Sequence, residues 1–340
     1  MDRAGGLRFL TVLAALFFSA AATADRDTIN WDEVDLAAER RAIENFQRYD
    51  QLLQNVGWKL AQANWEFCDR VMPATGLHLQ DMASYGSPQI ARRALGLSGD
   101  FAVQTVAEGS PADLSNSLPS NREIVGLAGI NPNEWESQGP FDWRRLARVH
   151  DLIDEAVEGY DSITLDFKDN NVAVIASVPV CATRFELMGK GKKALADGRR
   201  VVIGIEFPAF QYDEDEFAAL LAHELAHNLL SHTAWLDRNK RKRRNVRMTE
   251  READRLIPWL LANAGYDPRA GKRFFEKWGP NADGGLFRNR SHDGWDERAE
   301  FVEAEIHQIE ALIVQHDKAD WRTHFQREID PHQGLENGQR

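Results

Sequence analysis

Leu220-Leu221-Ala222-His223-Glu224-Leu225-Ala226-His227-Asn228-Leu229-Leu230-Ser231-His232 is the stretch on which the reading of this chain turns. It sets His-Glu-x-x-His inside a run that reads as helix. Four residues apart on a helix, His223 and His227 lie on one face, one turn above the other. Two imidazoles so placed suit a single metal ion, and Glu224 then stands beside the water such an ion carries. Leu220, Leu221, Leu225, Leu229 and Leu230 supply the apolar surface that buries the helix. The pattern predicts a zinc peptidase with a single Zn2+, whose third protein ligand must come from further along the chain.

Working outward, Asp213 is placed to cap this helix with Glu216 three residues on, and the acidic cluster suits the positive end of the helix dipole. The helix is predicted to end near Asp237. Lys240-Arg241-Lys242-Arg243-Arg244 reads as a solvated loop, with docking on anionic lipid as the competing reading. Thr249-Glu250-Arg251-Glu252 has the form of a capping box and starts a second helix. Glu250 in its first turn is the candidate third ligand. Asp254, four residues later on the same face, is placed to accept a hydrogen bond from the free ring nitrogen of a ligand histidine. Pro258 is expected to kink that helix. Extrapolated along a continuous helix, His232 turns about 140° away from His227 and is assigned a structural role. Beyond lie a helix from about Asp296 to Trp321 and a polar tail.

At 340 residues and 43% hydrophobic, the chain is long enough for more than one domain. Arg3 and Arg8 precede the apolar run Phe9 to Phe18, and Ala22-Thr23-Ala24 has the small-x-small form of a signal-peptidase site. Cleavage after Ala24 is expected, which makes the protein periplasmic or secreted; an uncleaved anchor is the alternative. Without Asp2, Arg3 and Arg8 the net charge moves from −12 to −13. That balance argues against a nucleic-acid binder, which shows a basic face. Cys68 and Cys181 are expected to form a disulfide in an exported chain, against the alternative of two buried thiols.

From Trp31 to Phe67 the apolar residues Ile43, Phe46, Tyr49, Leu53, Val56, Leu60, Ala63 and Phe67 recur every three or four positions, one long helix interrupted at Gly57. Residues 73–180 then turn β-rich. Phe101 to Val106 alternates, Ala107-Glu108-Gly109-Ser110-Pro111-Ala112 turns into a short helix, and a helix is predicted over Phe141–Glu158. Strands follow at Ser162–Phe167 and Val172–Val178, joined by Lys168-Asp169-Asn170-Asn171. This order, with Val103 to Ala112 and Glu123-Ile124-Val125-Gly126-Leu127-Ala128-Gly129, resembles a PDZ domain of the bacterial protease type. The resemblance implies a carboxylate-binding loop at Ala94-Leu95-Gly96-Leu97, with Leu95 and Gly96 at its centre, and a groove for an extended peptide. A small β-rich domain that merely packs on the enzyme is the other reading. The usual Gly-Asp before Glu-Ile is replaced here by Asn121-Arg122.

Four blocks together, His223-Glu224-Leu225-Ala226-His227, Glu250-Arg251-Glu252-Ala253-Asp254, Ala264-Gly265-Tyr266-Asp267-Pro268, and Ser291-His292 followed by Arg298, resemble peptidase family forty-eight. These are gluzincin metallopeptidases that include the HtpX type, the eukaryotic CAAX prenyl proteases and the periplasmic BepA type. The resemblance spans about Cys181 to Ile309 and includes Ala196 to Ile203. It implies His223, His227 and Glu250 as zinc ligands, Glu224 as general base, Asp254 as an orienting group, and His292 near the metal, as oxyanion donor or displaceable ligand. Arg199, Val201 and Ile203 are expected on a strand at the cleft rim, where an extended substrate pairs. The chain lacks the membrane-spanning helices and the tetratricopeptide array of those relatives.

The expected fold is α+β: a signal peptide over 1–24, an amphipathic helical segment over 25–72, a PDZ-like domain over 73–180, a zincin-like domain over 181–325, mainly helical with a small sheet, and a polar tail over 326–340. The expected function is an exported zinc endopeptidase acting on unfolded or extended polypeptides, with membrane association possible and not required. The alternative is a catalytically silent zincin-fold chaperone or PDZ-type binding protein.

Overall fold

Ile43, Leu53, Val56 and Leu60 recur on one face of the first long helix, α1 (Leu36–Ala63), and all four are buried. In this computed structural model, which describes residues 29–282 and 293–333, α1 runs unbroken through Gly57. The glycine serves a close approach instead of a break: a Cβ there would sit 2.5 Å from the Phe185 ring. The expected signal peptide lies outside the described residues. Residues Met1–Asp35 separate as a unit of their own, whose described part holds one 3₁₀ turn, Trp31–Glu33.

The unit Leu36–Arg340 is α+β, with two main hydrophobic cores. One core belongs to the β-rich lobe. Its strands are β1 (Val71–Ala74), β2 (Leu77–Asp81) and, after the helix α2 (Pro88–Leu95), β3 (Phe101–Val106). The short helix α3 (Pro111–Leu114) and strand β4 (Ile124–Leu127) follow. Helix α4 (Arg144–Tyr160) leads into the hairpin β5 (Ser162–Phe167) and β6 (Val172–Ala176), and β7 (Val178–Cys181) closes the lobe. Antiparallel pairs β2–β3 and β4–β5–β6 bury Leu79, Phe101, Val103, Ile124, Leu127, Ile163 and Leu165 against Val149, Ile153 and Val157 of α4. The strand expected over Val172–Val178 is divided: β6 stops at Ala176, and β7 leaves to pair with β1, Val71 opposite Cys181. That ribbon carries the Cys68–Cys181 disulfide, Cα atoms 5.6 Å apart.

The second core holds the helical lobe. Its sheet is β8 (Arg184–Met188), β9 (Ala194–Ala196) and β10 (Arg200–Gly204), in the order β8-β10-β9. Over it lie α5 (Glu214–Leu229), α6 (His232–Asn239), α7 (Arg243–Asn263), α8 (Ala270–Ala282), α9 (Trp295–His316) and α10 (Trp321–His324). The polar face of α1 bonds to both lobes. Gln47 donates to Asn121 at 2.8 Å and Gln51 to the Val106 carbonyl at 2.6 Å, while Gln54 donates to the Phe185 carbonyl at 2.9 Å. Among the described residues, no helix is long and apolar enough to cross a membrane.

Several local expectations are corrected. Asp213 holds the N-cap position of α5 without a side-chain cap, and Glu216 turns away to Lys277 at 2.6 Å, because a lysine on a neighbouring helix is a stronger partner than a backbone amide. Helix α5 ends at Leu229, well before Asp237: Ser231 takes a left-handed conformation, φ 56°, and α6 starts in a new direction. Thr249 and Glu252 form no capping box, since α7 already begins at Arg243; the Thr249 hydroxyl donates to the Val246 carbonyl, one turn back. Pro258 lies inside α7, which runs on to Asn263, as a helix kinked at a proline does. The last long helix stops at His316, where Asp317 is left-handed.

Candidate metal centre

Two successive turns of α5 present His223 and His227, and α7 packs alongside to deliver Glu250. The histidine Nε2 atoms are 3.2 Å apart. Glu250 places Oε2 3.4 Å from His223 Nε2 and Oε1 3.6 Å from His227 Nε2. Zinc bonds to nitrogen and oxygen of about 2.0–2.2 Å give tetrahedral ligand–ligand edges of roughly 3.3–3.5 Å. Two imidazole nitrogens and a carboxylate with one oxygen towards each of them are a donor set that suits zinc, and one ligand atom from each residue lies within 4.8 Å of the other two. Glu224, buried, occupies the same turn of α5 directly after His223.

Each histidine is backed by a different arrangement. His223 Nδ1 lies 2.9 Å from Asp254 Oδ1, close enough for an ionic contact but poorly aligned for a hydrogen bond along the N–H direction. Arg298 in turn donates to both oxygens of Asp254, at 2.7 Å each. Burial presses the His223 ring towards neutrality, yet Asp254 and Glu250 outweigh it and hold its pKa up at about 10. Burial pushes His227 well below the usual imidazole range, against the pull of Glu250.

His232 does not point away from His227 as extrapolation along a continuous helix predicts. The break at Ser231 resets the helix direction, so the 140° extrapolation does not apply. His232 Nδ1 comes to 3.0 Å from His227 Nδ1, and its Nε2 to 3.1 Å from Glu252 Oε2. Both His232 and Glu252 are fully buried. The only local signal was a helix-breaking position between the two histidines, and Ser231 does not advertise one.

Other expected site residues lie elsewhere. Arg199 falls in the bend before β10, and the strand that holds Val201 and Ile203 offers no free edge: β10 pairs with β8 in parallel and with β9 in antiparallel, and Val201 and Ile203 are buried in the core. The edges of that sheet are β8 and β9, and just after β9 the Gly198 N–H donates to Asn228 Oδ1 of α5 at 2.7 Å. Leu95 and Gly96 end α2: Leu95 packs on Ile43 and Met82, and Gly96 is its left-handed cap. The amides of the following loop are already taken by a carboxylate of this chain, since Ser98 and Gly99 N–H donate to Glu123 at 3.0 and 2.7 Å. The groove between β2 and α4 is reduced to a cavity of about 80 Å³, further walled by Trp58 of α1 and Phe185 of β8. His292 lies outside the described residues. No protein-family model matches the chain, and no curated protein or solved structure matches it.

Proposed function

We propose that this chain is a zinc-dependent endopeptidase of the gluzincin type, exported and acting on extended or unfolded polypeptide. The observation that carries this reading is the spacing of His223 Nε2, His227 Nε2 and the Glu250 carboxylate, 3.2 to 3.6 Å apart, with Glu224 in the same helical turn. The zincin-like description of the helical lobe rests on that same set of residues, and the resemblance to peptidase family forty-eight adds the blocks Ala264 to Pro268 and Ser291-His292 followed by Arg298.

A zinc ion held there would supply Lewis acidity and lower the pKa of a water towards neutral. The chain does the rest. His223, His227 and Glu250 would hold the ion, while Asp254 and Arg298 keep His223 in place. Glu224 takes the proton of the attacking water and returns it to the leaving amine, which makes it the general base and then the general acid. Substrate pairing belongs to β9. Asp197 N–H bonds to Arg200 and Gly204 N–H to Lys193, so odd-numbered residues face β10 and the backbone groups of Ala194 and Ala196 point to the outer edge, where the Ala196 carbonyl accepts from the Thr233 hydroxyl at 3.5 Å and Ala194 is left as the pairing position. A strand added there reads backbone, which suits unfolded substrates. The β-rich lobe is read as PDZ-like and, with its strand–helix groove narrowed by Trp58 and Phe185 and Glu123 bonded to the Ser98 and Gly99 amides, as a brace in place of a peptide receptor.

Glu224→Gln tests the proposal. Zinc content stays that of the wild type, and cleavage of unfolded casein falls by about a hundredfold or more. Equal, slow turnover by both proteins would leave a zinc-bearing binding protein or chaperone in place of an enzyme.

A further inference from the structure

The C-terminal residues expected to form a loose polar tail are, as far as Gln333, a strap across α6 and α7. Trp235 Nε1 donates to the Asp330 carbonyl at 3.0 Å, Asn239 donates to the Gln333 carbonyl at 3.0 Å, and Ile329 packs on Trp235 and Leu236. The strap has its densest polar contact at Glu252. Arg327 Nε donates to this carboxylate at 2.8 Å, and the backbone amides of Glu328 and Ile329 donate at 2.5 and 2.8 Å. Its remaining partner is His232 Nε2. Arg327 also reaches the Leu230 carbonyl at 3.3 Å, at the break between α5 and α6.

The proton arrangement along this chain of groups is determined by its end. His227 Nε2 is the atom facing His223 and Glu250, and its lone pair is the one a metal needs. The ring proton of neutral His227 therefore sits on Nδ1, where His232 Nδ1 lies 3.0 Å away and must accept it. That places the His232 proton on Nε2, where Glu252 accepts. Three donors from the strap keep Glu252 fixed and leave it one hydrogen-bonding role towards His232. A buried carboxylate without them would turn to other donors.

We propose that the strap is part of the metal centre: Arg327, Glu328 and Ile329 set Glu252, Glu252 sets the tautomer and orientation of His232, and His232 sets His227. These are positioning residues, and the inference rests on the metal-centre reading above. A merely structural strap would hold α6 to α7 and affect unfolding alone. A positioning strap also affects how tightly and in what geometry the three ligands hold a metal.

The test uses the full chain, with Zn2+ affinity measured by competition against a chromophoric chelator and the absorption spectrum of the Co2+-substituted protein. His232→Leu is expected to weaken zinc binding about tenfold to a hundredfold. Arg327→Met, at a partly exposed position that tolerates change, is expected to weaken it by roughly tenfold and shift the cobalt bands, with Arg327→Lys restoring part of the loss. Arg238→Ala, which releases a strap contact at Pro331 away from Glu252, serves as the control and leaves both readouts unchanged. Wild-type affinity and an unaltered cobalt spectrum in folded His232→Leu and Arg327→Met proteins overturn the strap's role while the metal centre stands. A wild-type chain that binds no zinc removes both.

Discussion

Arg298 and Asp254 meet through two hydrogen bonds of 2.7 Å, both side chains nearly inaccessible, one from α9 and one from α7. The pair sits directly behind His223, so the same carboxylate that orients a candidate ligand also fastens two helices.

That double duty separates two substitutions. Arg298→Met leaves a buried carboxylate without its main partner and is expected to cost about 3–5 kcal/mol, read in urea unfolding. Asp254→Asn keeps the shape and removes the charge that holds His223. It should lower zinc affinity about tenfold to a hundredfold in a chelator competition. Wild-type zinc affinity in Asp254→Asn would deny Asp254 its part in the site.

A second prediction concerns acid. His78 of β2 and His150 of α4 lie with ring centroids 5.7 Å apart. Burial, the neighbouring imidazole and Arg184 push His78 down to about 3, and burial and Arg184 push His150 to about 4, against a weaker pull from the Leu79 carbonyl and Asp151. Both rings titrate near 6.5 once unfolded. The unfolded chain therefore binds more protons between pH 6.5 and about 4, and stability falls as pH is lowered through that window. Above pH 6.5 the contribution is complete. The slope approaches about 1.4 kcal/mol per pH unit for each histidine. Melting followed from pH 7.5 to 4 should show His78→Gln with a visibly shallower loss than wild type; parallel curves would contradict the assignment.

The disulfide gives a third. Cys68 and Cys181 close a loop of 113 residues at the ribbon joining the two lobes. Replacing both with serine is expected to cost roughly 2–5 kcal/mol. Denaturation with and without reductant measures it. A wild-type protein indifferent to reductant would show that the loop is held closed by packing alone.

Gly57 supplies a fourth. A methyl group there meets the Phe185 ring at 2.5 Å, and Phe185 is buried between α1 and the β8 strand. Gly57→Ala gains helix propensity of about 1 kcal/mol and loses packing of about 1–3 kcal/mol. The balance should be net destabilisation in chemical unfolding. Pairing it with Phe185→Leu should recover part of the loss, because the smaller side chain gives way.

What the amino-acid sequence determined by itself is what neighbours along the chain decide. The four-residue spacing of His223 and His227, the apolar stripe of α1, the strand Ser162–Phe167 and the pairing of the two cysteines were all legible, since local periodicity or a lack of alternatives carried them. Tertiary structure decided the rest. Whether Arg200–Gly204 is an edge strand depends on β8 and β9 both choosing it. Glu252 reads locally as a helix cap and becomes an anchor only because a strap 75 residues later brings donors to it. His232 faces His227 because one serine adopts a left-handed backbone conformation, a choice with no side-chain signature that the surrounding packing must enforce. Short-range geometry is written in the order of residues, whereas the partners of a buried polar group come from wherever the folded chain happens to pass.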